Sequence, residues 1–354
     1  MTASELIYEI ETDILKIIAR MLGTGKIGTL EWQVTKLSQI GSLDKQARDM
    51  IMARIREVRN LAVDEVVKKV FDRLEINERR YKEAVKAGRL QDVLPITVDP
   101  SIRNILTAWE NSARSGINLT MQTLLDNCGE VYRDTITRTT AETILGVKSG
   151  RQAIRETMRE WAAQGVPSIV DRAGRQWTTE AYANAVIRTN TYRVVKETTE
   201  MRMDEYGVDL AEVSWHAASR VTHYDYQGQI YSRSGRDEVY PPLSDTGYGE
   251  AAGLMGVNCT HSLIPFVPGI SVKQEGLDIS KEENERLYKQ SQEQRRLERE
   301  IRAAKREAAV FKSGNDDAGY KEAMQLVRDR QATMREFIDE SGRTRRYDRE
   351  QIEV

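Results

Sequence analysis

Apolar residues recur at three- and four-residue steps over the first half of the chain, and that spacing predicts helix after helix from Ser4 to about Gln164. Leu6, Ile10, Ile14, Ile17 and Ile18 mark one stripe; Ile51, Ile55, Val58, Val66, Val67, Val70 and Leu74 mark another. Turn chemistry separates the runs at Gly23-Thr24-Gly25, Gly41-Ser42, Gly88 and the Pro95 to Pro100 segment. Ser42 predicts a capped helix start. Asp99 before Pro100 predicts another, because a carboxylate satisfies a free first-turn amide and proline lacks only a donor the helix does not need there. A further helix is expected from about Asn118 to Leu145. Its Thr135, Thr137, Thr139 and Thr140 suggest contact with other helices or a partner, not catalysis.

The pattern changes near Val166. Pro167 to Trp177 reads as two short extended segments around an Arg172-Ala173-Gly174 turn, a hairpin. Thr178, Thr179 and Glu180 then open a helix that runs to about Tyr206. Ala211 to His216 alternates like a strand, and Gln229 to Ser232 resembles another. Four of the seven prolines and seven of the 23 glycines lie between Gly228 and Gly269, which predicts a turn-rich α+β unit. Beyond about Ser280 the helical period returns, with a thin seam of Leu287, Leu297, Ile301, Ala304, Ala308 and Phe311. That seam predicts a coiled-coil-like or partner-packed helix more than a globular core. Ser313 to Asp316 breaks it from a second amphipathic helix carrying Met324, Leu326, Val327, Met334 and Phe337. The expected fold is therefore mainly α with a small α+β module. Three successive segments follow from it: a helical body (1–165), a compact α+β domain (166–270) and a charged helical tail (271–354).

Charge narrows the function classes. The 354 residues hold 53 Lys+Arg and 55 Asp+Glu, so no whole-chain excess of positive charge favours tight duplex or polyanion binding. The tail from Ser271 is balanced too, with 19 residues of each sign, and its Arg343-Thr344-Arg345-Arg346-Tyr347 patch can make only weak contact with DNA phosphates. Two cysteines cannot build a disulfide framework. The N-terminus lacks the basic start of a signal peptide, and no run approaches the roughly 18 apolar residues of a membrane span. A soluble protein made in a reducing cytosol is expected.

The scarce residues cluster. All three histidines, His216, His223 and His261, share a 46-residue window with Cys259. Three imidazoles and a thiol form a chemically complete tetrahedral zinc set, although His-x6-His followed by Cys-x-His matches none of the common finger or ribbon spacings. A hydrolytic reading would make His223 or His261 the general base, with Arg220 stabilising charge and Asn258 positioning. A structural reading has His216, Arg220 and His223 bonding loop backbone in a small domain whose ladders cannot satisfy every polar group. A Cys259-His261 nucleophile pair, though close in sequence, is a weak reading if the segment is a strand, since the strand rise holds residues two apart about 7 Å from each other. No GxGxxG, GxxxxGK[ST], HExxH or GxSxG string occurs.

The strings Trp215-His216-Ala217-Ala218-Ser219-Arg220 with His223, Gln227-Gly228-Gln229-Ile230-Tyr231-Ser232, Tyr248-Gly249, Gly253 to Ser262, and Pro265 to Gly269 carry a resemblance. They resemble the C-terminal signature of type 2 minor capsid proteins of tailed bacteriophages, relatives of the Mu F-like head morphogenesis proteins. Gly174 to Trp177 and the helix through Arg188-Thr189 resemble the segment that precedes the signature there. Where that family commonly has Asn-Cys-Arg-His, position 260 here is Thr.

The resemblance implies a virion component present in few copies, made in the bacterial host cytoplasm and sited at the portal vertex or inside the head. Its implied partners are the portal protein and the major capsid protein or scaffold, and its implied role is head assembly and genome packaging or delivery. It implies no settled enzymatic activity. The alternative is a metal-dependent or His-based hydrolase or toxin-like module, acting on nucleic acid or peptidoglycan and carried in the head.

Overall fold

Short-range sequence chemistry sets the helix starts. In the computed structural model, which describes residues 1–170, 174, 176–256 and 259–352, helix α1 (Ala3–Leu22) opens with a reciprocal cap. The Thr2 amide donates to Glu5 Oε2 (2.7 Å) and the Glu5 amide to Thr2 Oγ1 (3.2 Å). Helices α2 (Leu30–Leu37) and α3 (Ile40–Lys86) follow, and α3 begins ahead of the expected Ser42 start. The Ser42 amide already bonds the Gln39 carbonyl (2.9 Å), so its side chain is not needed as a cap. Helix α4 (Pro100–Ile144) starts as the sequence predicts, with the Ser101 amide on Asp99 Oδ1 (2.8 Å). It runs without a break at Asn118. Thr135, Thr139 and Thr140 lie on its buried face and Thr137 on its exposed one; the Thr135 hydroxyl donates to the Val131 carbonyl (2.7 Å).

Helix α5 (Gly150–Gln164) leads to the hairpin of β1 (Pro167–Val170) and β2 (Gln176–Thr178), antiparallel with Pro167 opposite Thr178; most of its expected turn lies outside the described residues. Helix α6 (Thr179–Glu205) then precedes a three-stranded antiparallel sheet of β3 (Leu210–Val213), β4 (Ile230–Ser232) and β5 (Leu263–Pro265). β3 is central: Ala211 faces Tyr231 on one side and Pro265 on the other. It ends before Ser214, short of the expected Ala211 to His216. β5 escaped the sequence reading because three residues are too few to display a period of two. Helices α7 (Lys281–Ser313) and α8 (Asp317–Ser341) close the chain. The fold is mainly α with a small α+β module. Among the described residues no helix is long and apolar enough to cross a membrane.

Contacts group the chain into two units built from interleaved segments, so the expected cuts at 165 and 270 each fall inside a unit. The first unit comprises 1–61, 114–185 and 293–354 and includes the hairpin. Its core takes Leu6, Ile10, Ile14 and Ile18 from α1. Most of the seam of the charged tail, expected to be coiled-coil-like or partner-packed, is buried in this same unit, at Leu297, Ile301, Ala304, Ala308 and Phe311, whereas Leu287 is half-buried and belongs to the second unit. Many tail charges are not a solvated face. Arg306 pairs with Glu11, Arg159 with Glu307, and Arg155 with Asp316, all at 2.7–2.9 Å.

The second unit comprises 62–113 and 186–292 and holds the sheet. Tyr81, Met203, Tyr206, Val213, Tyr231, Leu254, Cys259 and Leu263 form one core cluster. Val66, Val70, Leu74, Ile102, Trp109 and Val194 form another. The histidine and cysteine window lies wholly in this unit.

Candidate functional site

His223 sits in a 3-10 turn (Val221–Tyr226) whose first amide-accepting carbonyl belongs to Arg220; the His223 amide donates to it at 2.9 Å. Cys259 and His261 lie in an irregular stretch just ahead of β5, and the Cys259 amide turns back to the Gly256 carbonyl (3.1 Å). Strand geometry therefore does not apply to this pair. Cys259 Sγ is 3.3 Å from His261 Nδ1, against the expectation that they would not meet. Sγ is also 3.7 Å from His223 Nδ1, and the three donor atoms all lie within 4.8 Å of one another. All three residues are at most 2% exposed.

Each imidazole is oriented by its far nitrogen. His223 Nε2 is 2.8 Å from the Ala252 carbonyl, and His261 Nε2 is 3.1 Å from Gln227 Oε1. The latter oxygen also accepts the His216 amide (2.7 Å), which fixes which end of the Gln227 amide faces the ring. Both acceptors stand beside glycines that cannot be replaced without a clash. A Cβ on Gly228, at φ +64°, would lie 2.0 Å from Trp215 Nε1, and one on Gly253 would lie 1.9 Å from the Gly247 carbonyl oxygen.

His216 does not join the donor set, although the sequence placed it there. Its ring stands edge-on to His261 with centroids 5.2 Å apart, while Nε2 bonds Ser214 Oγ (2.9 Å) and the ring also bonds the Thr260 backbone. Arg220 contributes its backbone to the 3-10 turn, and its side chain is half-buried. Asn258 lies outside the described residues. Gln227 and Ala252 were not singled out as site residues. Gln227 stood inside the Gln-Gly string, whereas Ala252 acts through a carbonyl and leaves no side-chain signal.

Burial, then the neighbouring His216 and His223, pushes the His261 pKa down to about 3. Burial and, after it, Arg73 also lower that of His216, against the Thr260 backbone bond. Histidines held neutral are proton acceptors and metal ligands, not charge carriers. A thiol nucleophile needs an approach to sulphur, but Cys259 is packed in the core cluster with Leu254 and Leu263. The arrangement suits ligation inside the fold.

The profile of the family described as phage minor capsid protein 2 matches residues 2–339. A structural protein of Lactococcus phage LL-H is 28% identical over 336 residues, covering 91% of this chain and 88% of its own. A structural protein of Lactococcus phage mv4 is 36% identical over 115 residues, covering 32% of this chain and 92% of its own. No solved structure matches.

Proposed function

The chain belongs to the phage minor capsid protein 2 family, and from that premise we propose that it is a non-enzymatic component of the virion head near the portal, acting in head assembly and genome packaging or delivery. The observation that carries this reading is the extent of the family match, which takes in both units and the histidine and cysteine window, not one motif.

Charge supports protein partners, namely the portal protein and the major capsid protein or scaffold. The whole chain has a formal net charge of −2, which gives packaged DNA little to hold electrostatically. The C-terminal basic patch is also partly committed within the fold: Arg345 forks onto Glu350 (2.7 and 2.6 Å) and Arg343 donates to Gln294 (2.7 Å). DNA contact is accordingly weak and sequence-independent.

Cross-linking of purified heads followed by peptide mass spectrometry tests the reading. Cross-links from this chain to the portal or to the inner shell are expected, together with heads that package poorly when the gene is disrupted. A protein found only free in the lysate, with normal heads assembled in its absence, would overturn it.

A further inference from the structure

We propose that His223 Nδ1, Cys259 Sγ and His261 Nδ1 bind a zinc ion that clamps together the loops around the three-stranded sheet. This goes beyond a role in the head, and neither depends on the other.

The argument is a count of protons. A carbonyl only accepts, so His223 Nε2 carries a proton toward Ala252 and His261 Nε2 carries one toward Gln227 Oε1. A neutral imidazole has one N–H, which leaves both Nδ1 atoms as bare lone pairs, and both are aimed at the same sulphur. The Cys259 thiol has a single proton and can satisfy one of them. Any neutral assignment thus leaves a buried lone pair facing sulphur, a costly arrangement in a core. Protonating the rings instead would bury positive charge in the core, since both rings are almost wholly shielded from water. One divalent cation with a thiolate satisfies all three donors at once.

The geometry and chemistry select zinc. Zinc takes thiolate at about 2.3 Å and imidazole at about 2.0–2.1 Å in a tetrahedron, which puts neighbouring donors roughly 3.3–3.6 Å apart. The sulphur here lies 3.3 and 3.7 Å from the two nitrogens. Ligating histidines characteristically donate their other nitrogen to a carbonyl or carboxylate, which both rings do. Among the described residues three such donors converge, a set that supplies three of the four positions of a tetrahedron.

The site also has a mechanical use. It ties the 3-10 turn of His223, the loop at Ala252 and the entry to β5, in a region whose strands are only three or four residues long. So few ladder bonds hold the segments weakly, and a metal bond is a compact substitute.

Full-length protein purified without chelator should carry about one zinc per chain by elemental mass spectrometry. His216→Gln should keep it, whereas Cys259→Ser and His261→Gln should lose it. Gln227→Leu, which leaves the ligand set intact but removes the oxygen shared by the His261 ring and the His216 amide, should weaken zinc about 10- to 100-fold in competition with a chelator. Because the ligand variants disturb a core, the wild type supplies an independent readout. Replacement by Co2+ should give the intense visible bands of a tetrahedral ion and a thiolate charge-transfer band in the near ultraviolet. A wild-type protein that holds no zinc and gives only the weak spectrum of aqueous cobalt would overturn the proposal. So would zinc that survives in Cys259→Ser and His261→Gln alike.

Discussion

Arg306 and Glu11 lie 295 residues apart in sequence and 2.9 Å apart in space, both buried. The other Glu11 oxygen accepts the Val166 amide (2.7 Å), and Arg306 Nε reaches the Ala162 carbonyl (2.5 Å), so the pair joins α1, α5 and α7 within the first unit. Removing one partner strands the other's charge in the core. Arg306→Met should cost about 3–5 kcal/mol in urea denaturation, and the double variant with Glu11→Gln should cost clearly less than the two single changes summed. Strict additivity would show that the pair is not energetically coupled.

Arg202 plays the matching part in the second unit. Its side chain is fully buried and donates to Glu78 Oε1 (2.9 and 2.7 Å), to Asp99 Oδ2 (2.9 Å) and to Glu205, beside the ring of Tyr206. Only a planar fork can reach acceptors in these directions. Arg202→Met should destabilise by about 3 kcal/mol or more, and Arg202→Lys should recover only part of that, since an ammonium cannot reproduce the fork. Full stability in the Lys variant, followed by thermal melting, would contradict this account.

Acid should loosen the joint between α5 and α8. Burial would raise the Asp316 carboxyl, but the Arg155 guanidinium (2.7 Å on both oxygens) and the Gly319 amide outweigh it and hold its pKa below the ordinary aspartate value. A depressed folded pKa adds stability that is complete above the unfolded value and is lost as pH falls through the folded one. The wild-type melting temperature should therefore drop below about pH 4 partly through this group. Asp316→Asn keeps a good helix cap, so it should lower stability at neutral pH and flatten the acid slope. An unchanged slope would remove Asp316 from the acid response.

Gly228→Ala should destabilise the second unit by more than about 1 kcal/mol, because the residue adopts φ +64° and its new Cβ would meet Trp215. It should also reduce metal content, since Gln227 next to it holds the His261 ring. A variant as stable as the wild type would mean that the Trp215 ring moves aside freely.

The site was half legible in the sequence, for identifiable reasons. Cys259, His223 and His261 stood out because their residue types are rare and crowded into one window. Their mutual geometry did not, because the segment turns back on itself at Cys259 instead of extending, and apolar spacing carries no signal of that turn. His216 looked equivalent to the others by type, yet Ser214 and the Thr260 backbone occupy its ring, and both partnerships are set by tertiary folding. Ala252 contributes an oxygen that every residue possesses, so no side chain could announce it.

The sequence by itself determined the helices, the break at Ser313 to Asp316, the Asp99 cap, the hairpin and the family, since periodicity, capping and a local string of residues are short-range properties. Only the tertiary structure decided that the charged tail from Glu293 onward belongs to the first unit, that Glu11 answers Arg306, and that three of the four ligand candidates share one point. Those outcomes depend on which distant segments compete for the same buried space. A helix period says which face seeks burial, and it carries no record of what will cover it.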